Sequence, residues 1–305
     1  MDKLDFTLLK EIALMDSIPT GAYNIRKNGE SAGRFSTENI RIDNKTDKPG
    51  IDINIKSGTK GETVHIPVII TDTGYSETVY NDFYIGDNCD VTIMAGCGIH
   101  NCGDGESRHD GVHTFYIGNN SIVRYAERHY GDGDGNGERI MNPETVVYAG
   151  EGSTIQMDTT QIRGIDSTYR KTTIVLAKDA NAIINEKLLT HGKQYAESDM
   201  ELVLNGENAN GRIISRSVGQ DESKQVFRPC VTGKAKCFGH IRCDSILMNN
   251  AIISSVPAVA AEHTEANLVH EAAIGRINGD QLLKLQTLGL TPEEAENVII
   301  DGFLK

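Results

Sequence analysis

Residues 84–91 read Tyr-Ile-Gly-Asp-Asn-Cys-Asp-Val, and residues 116–123 repeat this pattern as Tyr-Ile-Gly-Asn-Asn-Ser-Ile-Val. A third copy, Tyr-Ala-Gly-Glu-Gly-Ser-Thr-Ile, follows at 148–155 with the same spacing. Looser copies begin at Leu176, Leu204 and Val231, and a weaker one spans residues 56–61. Each copy begins with the apolar end of one β-prone run. A turn of Gly, Asn or Asp that favours positive φ follows, and then a small residue begins the next β-prone run.

The runs between these turns are short and rich in Val, Ile, Thr and Tyr, as at 145–148 and 172–176. Residues 40–255 contain no long apolar stripe of helical period. A strand-and-turn unit repeated in register is typical of a solenoid, since one coil cannot bury its apolar face alone. The pattern therefore predicts a mainly β protein, a parallel β-helix, with a β-sandwich as the alternative.

The two ends of the chain differ from the repeat. Residues 4–15 carry apolar residues at helical spacing before Pro19, which predicts a short N-terminal helix. A second helix is predicted from Asp280 to the C′ position Gly289. The capping box at 291–294 predicts a third, so that the last two form an αα-hairpin.

These features divide the chain into an N-terminal segment 1–35, a β-helix core 36–277 and a helical hairpin 278–305. Periodicity alone favours the hairpin as a cap over the last coil, because solenoids need capped ends. The other interpretation is a docking surface for a partner.

Composition excludes several classes of protein. The net charge of −13 leaves no basic face for nucleic acid and no attraction to anionic membranes. The sequence lacks an apolar run long enough for a membrane span, a secretory signal and a phosphate-binding loop of the Walker type. We therefore expect a cytoplasmic protein that binds neither nucleic acid nor a membrane.

Cysteine and histidine concentrate in two regions. The first holds Cys97, His100, Cys102, His109 and His113. Cysteine and histidine are common ligands of zinc and iron, although this spacing matches no standard metal motif. One hypothesis is therefore a zinc-binding protein that uses these five residues, and another is a polar loop between coils.

The second region lies near the end of the predicted solenoid. Cys243 follows Arg242, whose guanidinium is expected to favour the reactive thiolate form. His270 and Glu271 follow on a later apolar run. Consecutive residues of a strand point to opposite faces, so we expect these two side chains to serve different sides of an interface.

The order of motifs in the last third of the chain resembles the SufB/SufD core family. These motifs are Arg-Cys-Asp-Ser-Ile-Leu at 242–247, His-Glu-Ala-Ala-Ile-Gly-Arg-Ile at 270–277, Asp-Gln-Leu at 280–282, Leu-Gly-Leu at 288–290 and Ile-Ile-Asp-Gly-Phe at 299–303. The resemblance implies a right-handed parallel β-helix with C-terminal helices that bind a SufC-like ATPase. It therefore reverses the preference for a simple cap.

The resemblance also implies a role and a site. Family members build an iron–sulfur cluster between two β-helix subunits, using residues that correspond to Cys243 and Glu271 in one subunit and His270 in the other. This sequence carries all three. It therefore resembles a scaffold of a minimal two-component system: a homodimer that holds a transient cluster, passes it to recipient apo-proteins, and uses ATP only through the partner ATPase.

The resemblance thus implies an assembly scaffold without enzymatic activity of its own. Transient iron is expected at Cys243, His270 and Glu271, and less strongly at Cys97, His100 and Cys102. The competing hypothesis is a β-helix carbohydrate-active enzyme with paired carboxylates on neighbouring coils. The absence of tryptophan argues against it, because sugar rings commonly stack on aromatic side chains.

Overall fold

A computed structural model describes the backbone of residues 1–305 and all side chains except those of Ile162 and Arg163. The elements are α1 (Lys3–Ala13), β1 (Ala22–Lys27), β2 (Glu30–Phe35), β3 (Ile40–Asn44), β4 (Gly50–Ile55), β5 (Lys60–Ile70), β6 (Ser76–Ile85), β7 (Asp90–His100), β8 (Ser107–Ile117), β9 (Ile122–Asp132), β10 (Arg139–Met141), β11 (Glu144–Ala149), β12 (Thr154–Arg163), β13 (Ser167–Leu176), β14 (Asn181–Thr190), β15 (Tyr195–Leu204), β16 (Asn210–Gly219), β17 (Lys224–Gly233), β18 (Cys237–Leu247), β19 (Ile252–Ser255), β20 (Ala258–Ala261), β21 (Ala266–Arg276), α2 (Gly279–Thr287) and α3 (Pro292–Leu304).

The strands alternate between two sheets that face each other across the core. The first sheet has the order β2-β1-β5-β7-β9-β12-β14-β16-β18-β21, and the second runs from β3 to β19 through the intervening strands. Apart from the hairpins β1–β2 and β3–β4, neighbouring strands pair in parallel. The chain therefore winds through about 8 turns of a β-solenoid, which confirms the predicted parallel β-helix.

The repeated turns take the predicted conformation. Asn88, Asn120, Gly152, Asp179 and Asn208 occupy equivalent places and all have φ between 53° and 66°. Backbone hydrogen bonds join each turn to the next coil, as from the Asn88 amide to the Asn119 carbonyl at 2.9 Å. Asn, Asp and Gly tolerate this left-handed conformation better than other residues, which explains their recurrence.

The interior is filled by the inward-facing residue of each strand. The rings of Phe83 and Phe115 stack with centroids 4.3 Å apart, and Tyr125 packs edge-on against Phe115. Inward residues in register form ladders along the solenoid axis, so each coil buries the apolar face of the next.

Helix α1 packs on the outside of the first sheet. Leu8, Leu9 and Ile12 are fully buried there. A Cβ at Gly96 of β7 would lie 2.5 Å from the Ile12 carbonyl oxygen, so glycine permits this close approach. The helix ends at Ala13 with Leu14 in the left-handed conformation, before Pro19, close to the predicted end.

The C-terminal helices confirm the predicted αα-hairpin. Thr291 caps α3 through a capping box with Glu294, and Pro292 opens the helix. Strand β1, inside the predicted segment 1–35, already pairs with β5 of the first sheet. No helix in the part of the chain described by the structure is long and apolar enough to cross a membrane.

Candidate functional site

Cys243 lies on β18, one strand before the end of the first sheet. Side chains on β18 alternate between the interior and the surface, and Cys243 shares the inward phase with Ile241. Its side chain is 2% exposed. The thiol therefore belongs to the interior of the last coils.

His270 is the nearest ligand-type side chain to this thiol. It lies on β21 in register with Ile241, so it also faces inward. The Nε2 of His270 is 3.8 Å from the Sγ of Cys243, within reach of a weak S–H···N hydrogen bond. The structure therefore brings together two of the three residues predicted for the site.

Glu271 lies on the opposite face of β21, as predicted from strand alternation. Its carboxylate is exposed, and Oε2 is 3.3 Å from the Nε2 of His240 on β18. One chain thus presents a thiol–imidazole pair on the inside of its terminal strands and a carboxylate–imidazole pair on the outside. A single copy does not bring Cys243, His270 and Glu271 to one point.

The thiol of Cys243 is protonated at neutral pH. Burial raises its pKa to about 11, opposed by the neighbouring Ser255 hydroxyl and reinforced by the charges of Glu186 and Asp244. The expectation that Arg242 favours the thiolate is wrong, because Arg242 faces outward and its Nε donates to Asp244 at 2.8 Å. Metal binding at this thiol must therefore displace a proton.

The imidazole of His270, in the same surroundings, favours the neutral form. Burial lowers its pKa, and the positive charge of a protonated His240 lowers it further. A neutral imidazole has a free lone pair for a metal ion, unlike an imidazolium. Cys243 and His270 together therefore offer one sulfur and one nitrogen donor.

The site lies beside the open end of the solenoid. Strands β19, β20 and β21 end the two sheets, and no strand of this chain pairs with their outer edges among the described residues. Large apolar side chains are exposed on and near these strands: Ile252, Val256, Val259, Val269 and Ile274. Unpaired edges with exposed apolar residues are typical of an interaction surface.

The first cysteine–histidine region is divided by the strand geometry. Cys97, His109 and His113 face the interior, whereas Cys102 is exposed in the turn after β7. Burial raises the pKa of Cys97 well above its usual range and lowers that of His113 to about 4. Among the described side chains, no group of three or more His, Cys, Asp or Glu residues could hold a metal ion. The five residues of the zinc hypothesis therefore do not converge.

A groove of about 870 Å³ on the second sheet bears on the carbohydrate hypothesis. Tyr84, Tyr116 and Tyr148 line it with their rings stacked on one another at 5.2 and 5.5 Å. The ring faces that a sugar would need are therefore largely covered by neighbouring rings.

Comparison with known proteins gives the family. Residues 70–303 match the family described as "SUF system FeS cluster assembly, SufBD core domain", which covers most of the chain. This protein belongs to the SufBD family. The match includes the whole Cys243 site, all of α2 and α3 as far as Phe303, and the predicted resemblance is confirmed.

Individual SufBD relatives support the same conclusion. An iron–sulfur cluster assembly SufBD family protein of Methanocaldococcus jannaschii is 29% identical over 255 residues, covering 83% of this chain and 79% of its own. A protein of the same description from Archaeoglobus fulgidus is 26% identical over 80% of this chain and 66% of its own. For a relative from Methanothermobacter thermautotrophicus, the matched region is 57% of that protein.

One feature of this SufBD protein was missed by sequence reasoning. Glu127, Thr159, Glu186, Ser215 and Cys243 occupy the same register in five successive strands of the first sheet. All five face inward and are at most 5% exposed. A polar row therefore runs through the interior and ends at the candidate thiol.

The polar row is held by hydrogen bonds and an ion pair. Glu186 accepts hydrogen bonds from Ser198 at 2.7 Å and Ser215 at 2.8 Å. Burial opposes ionisation of Glu127, yet its buried ion pair with Arg170 and the neighbouring His129 hold its pKa well below the usual range. In the sequence, this row corresponds to a polar residue that recurs at the same position of successive repeats.

Proposed function

We propose that this SufBD protein is a scaffold subunit for iron–sulfur cluster assembly that works with a SufC-like ATPase. Iron and sulfide are its substrates, and the cluster is held transiently before transfer to recipient apo-proteins. The observation that carries the proposal is the thiol–imidazole pair of Cys243 and His270 beside the open end of the solenoid. Family membership supports the role in cluster assembly.

The second half of the site comes from a second copy in this proposal. The exposed apolar residues of the last coil and the unpaired edges of β19, β20 and β21 suit self-association. A two-fold interface places the same patch on both subunits, so each copy contributes its own Cys243 and His270. Glu271, on the outward face, is then available to the other copy.

Mixed ligands suit a site that must release its product. Thiolate, imidazole and carboxylate hold a cluster less firmly than four thiolates do. The protonated state of Cys243 in the free protein has the same consequence, since iron must compete with a proton for the sulfur. The site is thus suited to assembly rather than to storage.

The C-terminal hairpin is the proposed docking surface for the ATPase. Leu283 on α2, Leu288 at the end of α2 and Val298 on α3 are at least half exposed. Ala295 and Ile300 are buried, and the Lys305 carbonyl accepts a hydrogen bond from Lys187 at 3.2 Å, so α3 rests on the solenoid. Since α2 begins three residues after β21 ends, a movement of the hairpin driven by ATP in the partner can be transmitted to the last coil.

The proposal places ATP hydrolysis in the partner and no enzymatic activity in this chain. It also places the protein in the cytoplasm, where a reducing environment maintains the six free cysteines.

Anaerobic co-purification with the SufC-like ATPase of the same source tests the proposal. We expect a stable complex that contains labile iron and acid-labile sulfide after reconstitution. A chain ending at residue 278 should lose the ATPase but keep the β-helix, as judged by circular dichroism. Failure of the full-length chain to bind the ATPase, together with absence of iron, would contradict the proposal.

A further inference from the structure

The Tyr-Ile-Gly and Tyr-Ala-Gly repeats that mark successive coils also form a ladder of rings on the outside of the second sheet. Tyr84, Tyr116 and Tyr148 are in register across β6, β8 and β11, so their side chains follow one another along the solenoid axis. The three residues are between 41% and 47% exposed. The core needs the inward residue beside each tyrosine but not the tyrosine itself. This tyrosine ladder is therefore a surface feature that the packing of the solenoid does not explain.

The groove of about 870 Å³ described above runs beside the tyrosine ladder. Gly86, Gly118 and Gly150, at the corner that follows each tyrosine, line it together with the ladder. A Cβ at each of these glycines would lie 2.5–2.7 Å from atoms of the preceding coil, so the coils approach closely there. The corner carries no side chain, which leaves a recess along the ladder. We call this recess the tyrosine groove.

The tyrosine groove extends over several coils. Its lining residues run from Asn54 on β4, through the ladder and Val175 on β13, to Asn205 directly after β15. These positions are five steps between neighbouring strands apart, and each step is about 4.8 Å, so the groove is about 24 Å long. An α-helix of about 16 residues has the same length.

The spacing of the ladder matches the pitch of an α-helix. The ring centroids of Tyr84 and Tyr116 are 5.2 Å apart, and those of Tyr116 and Tyr148 are 5.5 Å apart. An α-helix rises about 5.4 Å per turn, so a helix along the groove places one side chain per turn beside each coil. An extended strand repeats its side chains about every 6.7 Å and loses this register within two coils. The spacing therefore favours a helix.

The charges that line the tyrosine groove lie at one end. Arg41, Lys56 and Glu38 line the end formed by the first coils, and the remaining lining residues are uncharged. Arg41 is paired with Asp43 at 2.8 Å, so the exposed Lys56 is the cation that an anionic group can approach. The C-terminus of a helix carries partial negative charge, which acidic side chains in its last turn increase. Charge complementarity therefore places the C-terminal end of the helix beside Lys56.

The helices of this chain do not suit the tyrosine groove. Helix α1 buries Leu8, Leu9 and Ile12 on its own first sheet. Helix α2 has 9 residues and is about 14 Å long, little more than half of the groove. Helix α3 already buries Ala295 and Ile300. The occupant is therefore a helix of another protein rather than a helix of a second copy.

We propose that the tyrosine groove binds an amphipathic helix of a partner protein, with one apolar side chain per turn against the ladder and acidic side chains in its last turn beside Lys56. Aromatic side chains are enriched at the centre of protein interfaces, and a helix laid in an apolar groove is a common mode of recognition. Helix α3 contacts β16 of the first sheet, whereas the groove lies on the second sheet. The partner can therefore bind together with an ATPase on the hairpin. The inference does not rest on the scaffold function.

Binding of helical peptides to the full chain is the direct test. Three fluorescein-labelled peptides of about 16 residues, stapled as helices, carry Leu, Met or Phe once per turn and Glu in the last turn. We expect saturable binding of at least one peptide in fluorescence anisotropy, with a Kd below about 100 µM. A version interrupted by proline, which cannot form the helix, should bind at least about tenfold more weakly. Absence of binding by all three peptides, or equal binding of the helical and interrupted forms, would overturn the proposal.

Variants of the ladder locate the bound peptide. Tyr116→Ala removes the central ring and should weaken binding at least about tenfold. Tyr169 on β13 belongs to the same sheet and is 42% exposed, but it does not line the groove. Tyr169→Ala is therefore the matched control and should leave the Kd unchanged, and urea unfolding verifies that both variants fold. A Tyr116→Ala variant that binds as tightly as the wild type contradicts the site.

A charge reversal tests the orientation of the helix. Lys56→Glu should weaken the binding of peptides with Glu in the last turn by at least about threefold at low salt. The same variant should strengthen the binding of peptides that carry Lys there, and high salt should reduce both effects. Identical affinities of the two kinds of peptide for the wild type and for Lys56→Glu would contradict the proposed orientation.

Two further measurements separate this inference from self-association and from the scaffold function. Tyr116→Lys should leave the dimer intact in sedimentation velocity. Dissociation of that dimer would show that a second copy occupies the groove, which would overturn the proposal. Reconstituted Tyr116→Ala should contain as much iron and acid-labile sulfide as the wild type, although it binds the peptides weakly. Absence of a cluster in the wild type contradicts the scaffold function alone, since peptide binding is measured without iron.

Discussion

The Sγ of Cys243 and the Nε2 of His270 lie 3.8 Å apart on the last two strands of one sheet, both facing the interior. This contact depends on the strand register, which places His270 beside Ile241 and thus one inward step from Cys243. The adjacent Glu271 faces the other way. In the proposed function, this division is the reason for a second copy of the chain, which would supply the missing carboxylate.

Iron loading at Cys243 should increase with pH. The thiol has a pKa of about 11 in the folded protein, so the thiolate fraction grows about tenfold per pH unit from 7 to 9. Anaerobic titration with ferrous iron at these pH values measures the effect. Cys243→Ser should remove the pH-dependent part, and a wild-type affinity that is independent of pH would contradict the assignment.

The free energy of unfolding should decrease at high pH because of the same thiol. Burial raises the pKa of Cys243 above that of an unfolded cysteine, so the folded state favours the protonated form. The contribution is fully present below about pH 8.5 and is lost as pH rises through 11. The free energy of unfolding of the wild type and of Cys243→Ser is measured in urea. The difference between the two values should decrease between pH 8.5 and 11.

The buried ion pair between Glu127 and Arg170 should be costly to break. Both side chains are at most 6% exposed, so removal of one charge leaves the other unpaired in the interior. We expect Arg170→Met to lower the free energy of unfolding by about 3–5 kcal/mol in urea titrations. Arg228→Gln removes a more exposed pair with Glu197 and should cost at most about 1 kcal/mol.

Much of the fold could be predicted because the repeat is local. The Asn and Gly residues of the turns mark each coil, and the capping box at Thr291 marks α3. The site could be predicted only in part, because the direction of a side chain depends on strand phase. Arg242 and Cys243 are adjacent in sequence, yet they face opposite sides of β18, which reverses the expected effect on the thiol.

The internal polar row and the contact of His100 on β7 with Asp132 on β9 depend on the register between coils. His100 and Asp132 are separated by one period of the repeat, so their pairing follows once the register is known. The same holds for Glu186 and Ser215, whose hydrogen bond joins neighbouring strands. Applying the period to polar residues as well as to turns would have identified both.

Helix α1 should depend on the glycine beneath it. A Cβ at Gly96 would collide with the Ile12 carbonyl oxygen, so Gly96→Val should displace the helix from the first sheet. Limited proteolysis should then cut the first 15 residues at a faster rate than in the wild type. Gly302→Ala, where nothing lies within 4 Å of the added Cβ, is the control and should leave this cleavage unchanged.

Self-association through the last coil should be sensitive to charge. Val259 on β20 is 52% exposed, and a carboxylate there would be buried unpaired in the proposed interface. We expect Val259→Glu to be a monomer in sedimentation velocity at concentrations where the wild type is a dimer. Ile183→Glu, an exposed apolar position at the middle of the solenoid, should remain dimeric. A dimer that tolerates Val259→Glu would place the interface elsewhere.

The most direct test of the scaffold assignment is the iron and acid-labile sulfide content of the anaerobically reconstituted complex with Cys243→Ala. The account predicts that iron and sulfide fall to background while the ATPase stays bound, because the hairpin is untouched. Cys230→Ala should retain wild-type content. Undiminished iron and sulfide in Cys243→Ala would contradict the assignment of the cluster site to the last coil.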